Sequence, residues 1–397
     1  MISCNASARL LTGWRKGLFV VLIGFFTGCA EIPSPPEINY PQVRIAARNA
    51  AHTVAGQLKQ AGLHGGEIWV SPAINRHSGE ITASGREFQI MMALDLKTLL
   101  SKTIVQSVGG KNSASLSWIL APSVAFEKPT EKNFDTNWFK VDIALVSPGG
   151  KRLPGVGLRI NAQQFDATPS RFFQDAPLYL TGTYQEARQE FSQGSKSATS
   201  TTSRNRFIAL EGLIQEAILQ FEQGKYTEAA QGFSTVLDKD PENLPALSGR
   251  YQVLIETEKK TDAKLALDRL IEAALDQGNI SFKFMFQVRS TEFRDDLNIT
   301  RHYISWLKQL ANKVDVSERC IQVLGHASRS GSFEFNKQLS QDRAQRVIAI
   351  MLKHSPSLKG RIKAEGRGYS ENVVGSGKDD FTDAIDRRVD FNLTPCQ

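Results

Sequence analysis

Residues 192–206 read SQGSKSATSTTSRNR, fifteen positions in which Ala198 is the one apolar residue. A stretch of that composition cannot bury enough apolar surface to offset the entropy of ordering it. It predicts a flexible linker over 191–206, one of the breaks that divide the 397 residues into units. The chain as a whole is 41% hydrophobic and 22% charged, which excludes whole-chain disorder. Its length fits about two to four domains. A second break, residues 31–41 (EIPSPPEINYP), holds four prolines and predicts an extended tether. With a composition shift near 278, the expected units are 42–190, 207–278 and 279–397.

The first 28 residues read as an address. Arg9, Arg15 and Lys16 precede a nine-residue apolar run, Leu18 to Phe26, and no acid is present. The run is too short to cross a hydrocarbon layer ~30 Å thick and fits the apolar region of a secretory signal. Thr27-Gly28-Cys29 follows at once. This resembles the bacterial lipoprotein lipobox, with Phe26 in place of the usual Leu. The resemblance implies a signal peptide over 1–28, with Cys29 acylated, and residues 29–41 carrying the lipidated Cys and the Pro-rich tether. The other reading is a buried cysteine at the end of an ordinary signal or anchor helix. Ala30, not Asp, follows Cys29, which in that family implies the outer membrane, lipid-anchored and facing the periplasm. Three of the seven excess positive charges leave with residues 1–28, and the remaining +4 does not point to nucleic acid.

Four cysteines are present. With Cys4 in the signal and Cys29 at the lipid site, Cys320 and Cys396 remain in a disulfide-permissive compartment. They flank the apolar strands IQVLG and VDFNL. A disulfide and two separate thiols are both open at this point.

In the first unit, Val43 to Leu63 and Phe88 to Val108 have helical apolar spacing, whereas Glu67 to Ile74, Trp118 to Phe126 and Phe139 to Val146 read as strands. Ser147-Pro148-Gly149-Gly150 supplies a turn. The order of strand, Pro, Ser-Gly-Glu and long helix resembles the periplasmic α/β domain of the CsgG and LpoB lipoprotein families. In the second unit, Ala217, Phe221, Gly224, Tyr226, Ala229, Ala230, Phe233 and Pro241 lie at the spacing of a tetratricopeptide repeat, and this segment resembles that family. A shift of 34 residues reaches Tyr251, Ile255, Glu258, Ala263 and Leu267, with Glu258 in place of the glycine. Such a pair of repeats implies either a peptide-binding groove or a helical spacer.

The third unit is predicted as strand, helix, strand, helix, strand, helix-like loop, strand. Val323-Leu324-Gly325-His326, Gly331-Ser332, Asn336, Leu339-Ser340, Arg343-Ala344, Val347, Ala364-x-Gly366-x-Gly368 and Arg387-Arg388-Val389 follow the signature of the OmpA C-terminal domain, with Phe286, Ser290 and Phe293 at its opening strand and turn. The resemblance implies a mixed α/β sandwich that grips the peptide stem of peptidoglycan. In that family an Asp in a Gly-x-Thr-Asp turn takes the stem's ammonium, and an Arg on the next helix takes its carboxylate in a bidentate fork. Arg343 keeps the second role, Asn336 matches the supporting Asn, and Arg388 the motif's Arg before the last strand. The first role is lost: the turn reads Gly325-His326-Ala327-Ser328, so a neutral hydroxyl at Ser328 replaces the acid. Glu334 is a candidate substitute acid. His326 beside the turn is either a donor to the ligand or a loop-lining imidazole. Weakened peptidoglycan binding and a protein-interaction role for the domain are the competing expectations.

No enzyme is expected. The six histidines never fall at His-Glu-x-x-His spacing, and no Gly-x-Ser-x-Gly elbow occurs. Gly375-Ser376-Gly377-Lys378 lacks the gap and the hydroxyl of a phosphate loop. No metal site or cofactor follows. The expected whole is an α+β multidomain outer-membrane lipoprotein that noncovalently links the membrane, or an assembly on it, to peptidoglycan, with its lipid at Cys29. The alternative is an accessory lipoprotein of a cell-wall synthase or of a secretion or surface-appendage complex, acting through residues 42–190. An envelope protein bound through residues 42–190 or the helical repeats is the expected further partner.

Overall fold

The computed structural model describes residues 41–396 apart from 64, 77, 107–117, 128–137, 148–151, 180–200, 278, 296–297, 318, 373–382 and 384–385. The signal, the lipobox, the tether up to residue 40, residues 191–200 of the expected linker and the Gly375–Lys378 loop lie outside the described residues. No described helix is long and apolar enough to cross a membrane.

The first unit is a sheet covered by two helices. Helix α1 (Pro41–Gln60) packs beside α2 (Ala83–Leu99), and Val54, Leu58, Phe88 and Met92 meet Ile68 and Val141 of the sheet. Strands run in the order β3 (Thr103–Gln106), β1 (Gly66–Val70), β4 (Trp118–Glu127), β5 (Trp138–Val146), β6 (Arg152–Asn161), while the short β2 (Ile74–Asn75) also pairs with β4. Strand β1 is parallel to β3 and β4, and β4-β5-β6 is an antiparallel meander.

Three details differ from the sequence reading. The helix expected to Val108 ends at Leu99, because Thr103-Ile104-Val105 is β-branched and finds a ladder on β1. The strand expected from Glu67 to Ile74 breaks after Val70, where Pro72 offers no N–H for pairing. Strand β6 was not anticipated. Pro154, Gly155 and Gly157 obscure its period-two pattern, and it sits at the sheet edge with much of its surface exposed.

The second unit is two helix pairs: α4 (Thr201–Glu222) with α5 (Tyr226–Leu237), and α6 (Leu244–Glu256) with α7 (Lys260–Asp276). Close approach is set by small residues. A Cβ on Gly232 would lie 2.8 Å from that of Ala217, and one on Gly249 would lie 2.3 Å from the Phe233 ring. The turns of the two pairs are homologous: Gly224 has φ 74° and Glu258, 34 residues on, has φ 57°. The second pair thus keeps the left-handed turn without its glycine. The linker expectation fails at its C-terminal end, where α4 begins at Thr201. Ser and Thr are acceptable at the start of a helix, and the apolar periodicity that begins at Phe207 carries the helix back into them.

In the third unit, β7 (Asn279–Phe282), β10 (Val389–Thr394), β8 (Cys320–Gly325) and β9 (Ile362–Gly366) form a sheet in the order β7-β10-β8-β9. Strand β10 is antiparallel to both neighbours, and β8 is parallel to β9. Helix α9 (Phe333–His354) packs on β8 and β9, and α8 (Tyr303–Val316) packs between α9 and α7 with its Trp306 ring 6.0 Å from that of Phe282 in β7. Cys320 and Cys396 are joined by a disulfide, their Cα atoms 4.9 Å apart.

The second and third units share one core, which Ile74, Ile81, Phe172, Phe173 and Leu178 of the first unit join, while the first unit's sheet and helices enclose a core of their own. Phe172 and Phe173, from the short α3 (Arg171–Asp175), fill the space between the helices; Phe172 lies 5.8 Å from both Phe221 and Phe233. Residues 177–179 extend the free edge of β7: the Tyr179 N–H donates to the Ser281 carbonyl and the Lys283 N–H to the Pro177 carbonyl, both at 3.1 Å. Lys283 is buried, and its ammonium donates to the Glu80 carboxylate and the Phe173 carbonyl. Arg86 pairs with Glu222 at 3.2 Å, and Arg171 with Glu256 at 2.7 Å. On α8, Trp306 Nε1 donates to the Tyr251 hydroxyl at 2.7 Å. The chain's own aromatics therefore occupy much of the inner face of the helix pairs. A groove of about 690 Å³ remains between α7 and α8, with Lys264 and Gln309 on its walls.

Candidate functional site

Two glycines bring α9 against the sheet ends. A Cβ on Gly325 would meet the Ser340 carbonyl oxygen at 2.0 Å, and one on Gly366 the Lys337 carbonyl oxygen at 2.5 Å. With no side chain there, the turn after β8 folds over the N-terminal turns of α9. Ser332 caps the helix, its Oγ accepting from the Phe335 N–H at 3.3 Å. Asn336 braces the turn by donating to the Ser330 and Ser332 carbonyls at 2.6 and 3.1 Å. Arg343 follows seven residues later, two helical turns on and on the same face.

Arg343 is 2% exposed. Its Nε donates to the Ser290 carbonyl at 3.0 Å and its Nη2 to the Gln287 carbonyl at 3.2 Å, and the guanidinium lies 4.7 Å from the centre of the Phe286 ring. The arginine thus fastens the loop after Phe286 to α9. In that loop Arg289 has φ 54°, a conformation L-residues seldom adopt, and its guanidinium is 5.9 Å from the centre of the Phe335 ring.

Between this loop, the turn at 328–330 and α9 lies a cavity of about 330 Å³. Ser328, Asn336 and Arg343, named from the sequence motif, line it. Arg289, Arg294 and Arg387 add three more guanidiniums, and Asp295 is the one carboxylate on its wall among the described residues.

His326 and Arg388 do not line it. His326 is buried behind the turn, its Nε2 2.9 Å from Asp390 Oδ2, and Arg388 Nε is 3.0 Å from the same oxygen. Burial pushes the Asp390 carboxyl up, but the His326 hydrogen bond, the Arg388 and His326 charges and the Ser281 hydroxyl together hold it below the usual carboxylate range. This cluster anchors β10 to the turn and leaves His326 no place as a ligand donor. Of the two adjacent arginines ahead of β10, Arg387, which lies in a tight helical turn, lines the cavity, whereas Arg388 pairs with Asp390. Glu334 is exposed on the first turn of α9 and is not on the cavity wall. Asp295 lies outside any motif the sequence offered; its only signal is an acid just after the Phe293 of the opening turn.

Residues 294–384 match the OmpA family, and residues 220–281 match a tetratricopeptide repeat family. Among curated proteins, Outer membrane protein A of Shimwellia blattae is 37% identical over 94 residues, 21% of this chain and 38% of that protein. Protein NPGR2 of Arabidopsis thaliana is 25% identical over 124 residues, 29% of this chain and 17% of that protein. The chain therefore spans well under half the length of either relative. Among solved structures, the peptidoglycan-associated lipoprotein from Burkholderia pseudomallei is 24% identical, with 30% of this chain and 92% of that one covered at a TM-score of 0.24. This chain of mixed helix and strand carries a tetratricopeptide repeat segment followed by an OmpA family domain at its C-terminal end.

Proposed function

We propose that this protein is a lipid-anchored outer-membrane protein whose C-terminal domain holds the peptidoglycan stem peptide, so linking the membrane noncovalently to the cell wall. The observation that carries the reading is the cavity lined by Arg343, Asn336, Ser328 and Arg387 inside a domain matched to the OmpA family. A guanidinium fixed by two backbone carbonyls and an aromatic face offers a carboxylate a preorganised partner. The similarity to Outer membrane protein A is in keeping with it. Cys29 provides the membrane attachment, the basic-apolar-Gly-Cys order of residues 9–29 being its support. The protein acts by binding and has no catalytic role.

The test uses the compact unit Tyr40–Gln397, pelleted with purified sacculi. The wild type is expected in the pellet. Arg343→Lys keeps a cation but loses the planar fork, and should weaken retention about tenfold. Wild-type protein left in the supernatant at low salt would remove the proposal. Labelling with a lipid precursor, wild type against Cys29→Ala, tests the anchor; an unlabelled wild type would end that part.

A second role, as an accessory subunit of an envelope complex, is favoured by the exposed apolar side chains Ile90 and Leu94, one turn apart on α2. Specific capture of an envelope protein that Ile90→Asp abolishes would support it.

A further inference from the structure

The groove of about 690 Å³ between α7 and α8 shares no residue with the cavity beside Arg343. Phe172 and Phe173 fill the space between the helix pairs, whereas this groove is built jointly by α7 and by α8 of the C-terminal domain. On the α7 wall stand Lys260, Ala263, Lys264 and Leu267, the stripe a helix presents at intervals of three and four residues. Arg301, just before α8, and Gln309 on it also line the groove.

The charges on the wall are unbalanced. Among the described residues, neither Lys260 nor Lys264 has a carboxylate at ion-pair distance, and both are exposed. Arg301 spends one donor, its Nε on His302 Nε2 at 3.2 Å. The acids close by are mostly committed. Glu256 is held by Arg171 at 2.7 Å and by the Tyr226 hydroxyl at 2.8 Å. Asp268 accepts from the Gln309 amide at 2.8 Å, in the orientation that pairs donors with acceptors. Asp262, exposed on the first turn of α7, is not on the wall. Glu258, at the turn before α7, is the one wall carboxylate without a partner among the described residues. Three unpaired cations therefore stand against one acid.

A second observation is independent of charge. The groove continues into a recess of about 120 Å³, with Arg301, His302 and Tyr251 bordering both. Gln252 lines that recess and is 3% exposed. Its Nε2 donates to Ser248 Oγ at 3.2 Å, but its buried Oε1 has no partner. Buried amide oxygens are rarely left so, and an N–H entering the recess would satisfy this one. The recess is preformed: the His302 ring stacks on Trp306 with centres 6.4 Å apart, and Trp306 is tied to the Tyr251 hydroxyl.

Spacing selects the shape of the ligand. Lys260 and Lys264 are one turn apart, about 6 Å along the helix axis. Alternate residues of an extended chain lie about 6.6 Å apart and on one side. An extended segment with an acid at every second residue thus sets one carboxylate against each lysine.

We propose that this groove docks an extended acidic segment of a partner protein, with carboxylates on Lys260, Lys264 and Arg301 and a backbone N–H on Gln252 Oε1. A basic segment would bring like charge to all three cations. The site makes no use of the cavity beside Arg343, so its failure leaves the peptidoglycan reading standing.

The test is calorimetric titration of residues 40–397 with an acetylated, amidated hexapeptide that alternates Glu and Leu, against the same peptide with Gln for Glu. The acidic peptide should bind about tenfold more tightly at low salt, and the advantage should shrink as salt rises. Lys264→Glu should abolish the advantage and Lys264→Arg should keep it, both with the wild-type unfolding midpoint, since the side chain is exposed. Equal affinity for the two peptides, or no binding of either, overturns the inference. An advantage that survives Lys264→Glu also overturns it, because the acids then bind elsewhere. Inorganic phosphate binding as tightly as the acidic peptide would assign the groove to a small anion, and a dimer that Lys264→Glu dissociates would assign it to a second copy; either result overturns the proposal.

Discussion

Lys283 is the side chain whose loss should do most to the union of the three units. It lies one residue beyond β7, and everything its ammonium touches comes from the first unit: the Glu80 carboxylate, the Phe173 carbonyl and, at 4.6 Å, the Tyr179 ring. Both side chains of the pair are 7% exposed. Lys283→Ala would strand the Glu80 carboxylate in that environment, an error that costs about 3–5 kcal/mol. Against a total stability of about 5–15 kcal/mol, that is a large fraction. The cation–π contact, about 0.5–2 kcal/mol when desolvated, overlaps with this loss and is not added to it. Urea unfolding of residues 40–397, followed by far-ultraviolet circular dichroism and tryptophan fluorescence, reads the effect. In the variant the early transition should separate from the late one, because the first unit loses its hold on the edge of β7. Lys283→Met combined with Glu80→Leu removes both charges and should recover most of the loss. A cost under about 1 kcal/mol for Lys283→Ala would show that water reaches Glu80, and the reasoning would be wrong. A double variant as unstable as the single one would show that packing, not the stranded charge, is responsible.

Two smaller predictions follow. Glu258 holds a left-handed backbone conformation that its counterpart Gly224 adopts freely; Glu258→Gly should raise stability by roughly 0.5–1 kcal/mol, seen as a higher thermal midpoint, and a lower midpoint would mean that the Glu258 side chain contributes more than the strain costs. Because the Asp390 carboxyl is held below its usual range, its contribution is present above the unfolded pKa of about 3.9 and is lost as pH falls through the folded value. The wild type should therefore lose stability below about pH 4, and Asp390→Asn, less stable at neutral pH, should show a flatter acid limb; parallel limbs would refute the assignment.

Much of the site was legible because its residues are close in sequence. Ser328, Asn336 and Arg343 come from one turn and the helix it caps, so helical periodicity alone aligns Asn336 with Arg343. Legibility stopped where a residue arrives from elsewhere. Asp295 reaches the cavity from a loop 33 positions before Ser328. The exchange of roles between Arg387 and Arg388 depends on how β10 enters the sheet. His326, adjacent to the turn in sequence, is turned away by its pairing with Asp390, a partner 64 positions on.

The sequence by itself determined the order and type of most elements: the helix pairs, through small and aromatic residues 34 positions apart, and the last sheet, through apolar strands and the glycines that let α9 approach. These are local patterns, written in the period of each element. Only the tertiary structure decided that the second and third units share one core, that residues 177–179 add to the edge of β7, and that Phe172 and Phe173 of the first unit fill the space the helix pairs leave. Backbone edges and buried aromatics must be satisfied by whatever surface folding brings to them. That surface belongs to distant parts of the chain, so no window of sequence contains both sides of the contact.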